Sequence, residues 1–114
     1  MKFNAENIKA QRDKKEEKMM KLYNKKTERI IKIGVKAIKK AIGKNSVFND
    51  FIKVKLSDII SFSSFKKIQR TILKQDVYKQ RIINDILSYF KNLNFNISYY
   101  ESKEYLNIIF IVEF

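Results

Sequence analysis

The sequence predicts an α+β fold, with a long N-terminal helix and a second helix packed on a small, mostly antiparallel three-stranded sheet that ends in a C-terminal hairpin. Three observations lead there. Residues 5 to 42 read as one long helix, with no proline to break it and an apolar stripe spaced by threes and fours in its second half. The stretch "FIKVKLS", Phe51 to Ser57, sets Phe51, Lys53 and Lys55 against Ile52, Val54 and Leu56, the period of a half-buried strand. The close of the chain, "NISYYESKEYLNIIFIVEF", reads as a hairpin whose second strand is apolar on both faces. Helices that bury one stripe need a surface to cover, and a small sheet supplies it.

The first helix is capped by Asn4, whose side-chain oxygen can accept from the first turn, and Gly43 offers a left-handed residue to stop it. Gly34 inside it costs only about 1 kcal/mol relative to alanine. Its apolar stripe, Met20, Tyr23, Thr27, Ile30, Gly34, Ile38 and Ala41, lies in the second half. Upstream, "QRDKKEEK" has no apolar residue, so residues 1–19 are expected to project from a single domain spanning 1–114. After the first strand, Ser63 or Ser64 can cap a short helix that turns Phe65, Ile68 and Ile72 inward. A firmer helix runs from Val77 to Leu93, capped by Asp76, with Tyr78, Ile82, Ile86, Tyr89, Phe90 and Leu93 as its buried stripe. Asn94 suits a left-handed stop, and strands at 95–100 and 105–114 follow, joined by the polar turn "ESKE". The last strand is expected to be central or at an interface. One face is then covered by the helix of residues 77–93, and the other by Ile30 to Ile42 of the first helix or by a partner.

Composition narrows the chemistry. The 45% apolar fraction argues for a folded chain. With no Cys and no His, disulfides and the usual zinc or transition-metal sites are excluded, and no cofactor is expected. The longest apolar run, Ile108 to Val112, is far short of the roughly 20 residues that span a bilayer, and "MKFNAENIKAQ" has no apolar signal core. The expectation is a soluble protein without membrane attachment, in a reducing cytoplasm (a host's, for a viral protein), with the virion as the alternative.

The formal charge is +13, from 25 basic against 12 acidic residues, which favours a polyanionic partner. Codon bias toward A and T accounts for lysine outnumbering arginine, 21 to 4, but not for bases outnumbering acids two to one. The first 44 residues carry a net +10 and the other 70 only +3, so the charge is concentrated on the long helix. At 100° per residue, Lys14, Lys18, Lys21, Lys25, Arg29, Lys32, Lys36 and Lys39 fall within about 80° of arc, opposite the apolar stripe. These eight are the candidate nucleic-acid-binding residues. The plainer reading is the solvated outer face that any amphipathic helix has. Against it, like charges at i and i+4 repel, and stability alone would place glutamates among them, yet Glu28 alone lies near the arc's edge along most of its length. Scarce arginine points to phosphate contact over base reading, so little sequence specificity is expected.

Two further readings are open. Tyr99, Tyr100 and Phe110 on the hairpin can stack on unpaired bases, or they can pack against the helix of residues 77–93, the commoner role of strand aromatics. Catalysis has little support: serine and cysteine triads lack a histidine, "GKNS" is not a phosphate-binding loop, and Glu101-Ser102-Lys103 matches a nuclease E-x-K element in a turn without a second acid beside it. A non-enzymatic protein is expected.

"YFKNLNFNISYY" (Tyr89 to Tyr100) and the closing "YLNIIFIVEF" carry a resemblance. They are similar to a loose group of small bacteriophage-encoded α+β proteins of unassigned function, built as helix, strand, helix and C-terminal hairpin. Asn94 stands at that group's usual glycine and Phe114 at its usual tryptophan, and Ser61 to Gln75 looks inserted. The resemblance implies a phage or similar A/T-rich viral source and passes on no activity and no site residues. The expected function is a basic accessory protein binding nucleic acid through phosphates. The alternatives are a virion or homo-oligomeric structural component, and an inhibitor that docks an acidic surface of a host protein.

Overall fold

The computed structural model describes residues 4–45, 49–102 and 107–114. The elements run α1 (Ala5–Asn45), β1 (Phe51–Lys55), α2 (Leu56–Ile59), α3 (Phe62–Thr71), α4 (Asp76–Asn92), β2 (Asn96–Ser102) and β3 (Asn107–Glu113). The fold is α+β, with a long N-terminal helix, further helices and a three-stranded antiparallel sheet.

Asn4 caps α1 as its side chain suggests: its Oδ1 accepts from the Asn7 amide at 2.8 Å. The C-terminal end differs from expectation. Gly43 lies within the helix at negative φ, and α1 runs on to Asn45, whose side-chain amide donates to the Ala41 carbonyl at 2.8 Å. At 1.5 Å per residue, 41 residues make a helix about 61 Å long. Asp76 is the first residue of α4 and pairs forward with Lys79 at 3.3 Å; the cap position is Gln75, which makes no side-chain cap bond. Ser63 and Ser64 likewise fall inside α3, whose cap position is Ser61. Asn94 takes the left-handed conformation, φ 65°, and ends α4 as expected. Leu93, placed in the buried stripe by spacing, follows the end of the helix and is exposed. Phe65 and Ile72 are buried, and Ile68 packs against them.

The strand order is β1-β3-β2, both pairings antiparallel, so the last strand is central. Its residues Ile108, Phe110 and Val112 share a face with Ile52, Val54 and Ile97, and all six enter one core with Ile30 and Ile38 of α1 and Ile82, Ile83, Ile86 and Phe90 of α4. Tyr23 and Tyr78 meet edge to face where α1 first reaches α4, 5.7 Å between centroids. At the other end of the β1–β3 pairing, Asn107 holds the turn into α2. Its Oδ1 accepts from the Ser57 amide at 3.2 Å and its amide donates to Ser57 Oγ at 2.9 Å.

Both long helices therefore lie on the same face of the sheet. This corrects the expectation that α1 covers one face and α4 the other. α4 has a buried arc wide enough to touch α1 and the sheet at once, because Ile83 is buried beside the expected Ile82 and Ile86. The second face, made of Phe51, Lys53, Lys55, Ser98, Tyr100, Ile109 and Ile111, adds no residue to that core: Ile109 is buried at 3%, Ile111 is half-buried, and the flanking Phe51, Lys53, Lys55, Ser98 and Tyr100 are exposed. The "ESKE" turn lies partly outside the described residues, and Glu101 and Ser102 belong to β2.

Candidate nucleic-acid interface

The ridge is set by the packing of α1. Thr27, Ile30, Gly34 and Ile38 are its buried residues, and their stripe turns the opposite arc outward. All eight predicted residues, Lys14, Lys18, Lys21, Lys25, Arg29, Lys32, Lys36 and Lys39, are exposed. From Lys14 to Lys39 the ridge is about 37 Å long at 1.5 Å per residue.

Its neighbourhood is poor in acid. Among the described residues the ion pairs join Lys79 to Asp76 and Glu101, and Arg81 to Glu28 and Asp85; no ridge cation takes part. Glu28, the acid nearest the arc, is drawn toward α4, where the Arg81 guanidinium lies 3.3 Å from its carboxylate. Arg81 also reaches Asn24 at 3.4 Å. Lys39 differs from the other seven: its ammonium stands 4.8 Å from the centre of the Tyr89 ring, which fixes its position without neutralising it.

The basic surface is wider than the ridge. Lys26 and Arg29 of α1 and Lys67 of α3 line a groove of about 420 Å³ floored by isoleucines, among them Ile30, Ile33 and Ile68. A second, more open groove of about 500 Å³ brings Lys36 and Lys40 of α1 beside Lys53 and Lys55 of β1, with the acid Asp58 also in its lining. Sequence spacing on one helix does not find Lys53, Lys55 or Lys67, because tertiary packing alone puts them beside α1. The strand period did place Lys53 and Lys55 on one side of β1.

The predicted aromatics separate. Phe110 is wholly buried in the core, whereas Tyr99 and Tyr100 keep about two-fifths of their surface exposed, 38% and 43%. Of the E-x-K element, Glu101 sits on a strand and engages Lys79 at 3.2 Å, and Lys103 lies outside the described residues. Among the described residues, no three His, Cys, Asp or Glu side chains group closely enough to hold a metal ion. Among the described residues, no helix is long and apolar enough to cross a membrane. No family model matches this chain, and neither the curated proteins nor the solved structures contain a match to it.

Proposed function

We propose that this chain is a small, non-enzymatic accessory protein that binds nucleic acid through phosphate contacts with little sequence specificity. The observation that carries the reading is the unneutralised ridge: eight exposed cations on one helix face, none paired with a carboxylate among the described residues, and Glu28 held away by Arg81. A helix stabilised by its own surface charges would alternate signs at i and i+4; this one repeats the same sign and accepts the repulsion. Each lysine that meets a phosphate releases condensed counterions, which favours association and makes it fall steeply with salt. The A/T-rich composition and the resemblance of the last third to small phage proteins support a viral source.

The test is binding of the full chain to random-sequence DNA and RNA at low salt. If all eight cations meet duplex phosphates, log affinity falls against log salt with a slope of about −7. Changing Lys21, Lys25, Lys32 and Lys36 to Glu should abolish binding. Absent binding at low salt, or binding that survives these changes, overturns the reading.

A second reading has its own observation. Ile8, Met19, Met20 and Leu22 are exposed on the N-terminal half of α1, apolar contacts that a protein partner or a second copy can use. A structural or host-inhibitory role predicts a stable complex that sediments unchanged as salt rises.

A further inference from the structure

We propose that the exposed aromatics on the second face of the sheet form a stacking platform for unpaired bases, so that the nucleic acid this protein takes is single-stranded. The inference rests on the phosphate-binding reading above and names the partner of that surface more closely. Its first support is the face itself. Phe51 on β1 and Tyr100 on β2 keep 51% and 43% of their surface exposed, flanking a central strand whose Ile109 is buried at 3% and whose Ile111 is half-buried, so the rings and not the strand centre are what this face offers. Exposed rings on a sheet, held in place by flanking strands, are the sequence-tolerant means of binding bases, because every base has a π face.

Charge gives the second support. Lys53 and Lys55 lie on the same face, and the Lys53 ammonium stands 5.9 Å from the Tyr100 ring centre. On the described strand positions of this face the acid is Glu113, whose carboxylate accepts from the Asn96 side chain at 2.9 Å. The surface therefore suits a polyanion that carries flat apolar groups.

Continuity with the ridge is the third. Lys36 of the ridge and Lys40 line one groove with Lys53 and Lys55, so cations run from α1 over the edge strand β1 to the aromatic face. A strand of a duplex winds a full turn in about 34–36 Å and leaves a straight ridge of similar length after a fraction of it. An unpaired strand follows the whole ridge and can bend over β1 with its bases turned to Phe51 and Tyr100.

The experiment compares a fluorescein-labelled oligothymidylate of about 20 nucleotides with a duplex of equal length at matched salt, using the full chain. The single strand should bind at least about five-fold tighter. Phe51→Ala with Tyr100→Ala should cost it roughly ten-fold or more and leave duplex affinity within about two-fold. Because the chain has no tryptophan, Tyr100→Trp places a lone indole on the face, and the oligothymidylate should quench its fluorescence. An unquenched indole, or a double alanine variant that binds the single strand as the parent does, overturns the platform; the ridge proposal then stands or falls on its own charge reversals. A dimer that the double alanine variant dissolves would also overturn it, by showing a second copy on that face.

Discussion

Lys79 joins α4 to the edge of the sheet through two carboxylates, Glu101 at 3.2 Å and Asp76 at 3.3 Å. The hydrogen bond to Glu101 raises its pKa above the ordinary 10.5; burial opposes the rise, and Asp76 adds to it. A lysine whose folded value exceeds its unfolded one contributes stability that is complete below the unfolded value and is lost as pH climbs through the folded one. Glu101→Gln should therefore lower the melting temperature at neutral pH, and the gap to the parent should close as pH rises past 10.5, measured by circular dichroism melts across that range. Arg81 does a similar job on the other side of α4, but its partner, Glu28, is the acid that would otherwise sit beside the ridge. Gly34 lies against α4 as well: a Cβ there would come within 2.8 Å of Ile86 Cδ1, so a larger residue would have to turn the tip of the Ile86 side chain aside.

α1 is an element whose surface chemistry works against its own stability. Lys25 has Lys21 and Arg29 at i−4 and i+4, each repelling it by a few tenths of a kcal/mol. Lys25→Glu should turn both repulsions into attractions and stabilise the chain by up to about 0.5 kcal/mol in urea titrations, while weakening nucleic-acid binding. Stability and binding moving in opposite directions is the signature of a charge kept for a partner. At this scale much was legible in advance. Asn4, the apolar stripe and the absence of proline marked α1, Asn94 marked the end of α4, and the alternation at 51–55 marked β1, since each is a local rule. The helix ends failed where a local rule had a competitor. Gly43 can stop a helix, but nothing required it to, and Asn45 offered a cap bond two residues on. The placement of both helices on one sheet face was illegible because an apolar β3 has two faces to bury, and a sequence does not say that both helices choose the same one. Lys53 and Lys55 reach the candidate interface by that choice.

The whole molecule is long for its size. Its radius of gyration is 17.9 Å, against about 13 Å for a compact chain of this length, and it measures 68 × 28 × 20 Å. From Ile8 to Leu22 every residue of α1 is exposed, and this half meets the rest of the molecule chiefly in a shallow groove where Met19 and Met20 lie beside Gln75 and Tyr78. X-ray scattering from dilute monomer should return a radius near 18 Å that does not contract with added salt; a value near 13 Å would mean α1 folds back on the core. The place of β3 between β1 and β2 bears on how the molecule is made. β1 pairs with residues roughly sixty positions later, and until β3 has been synthesised it has no partner on either side. Helices form from local contacts in about a microsecond, so α1 and α4 can exist while Ile52 and Val54 still wait in water. The expected order is therefore basic helix first and sheet last, with mutual repulsion at a net charge of +13 keeping apolar strands of neighbouring chains apart in that interval.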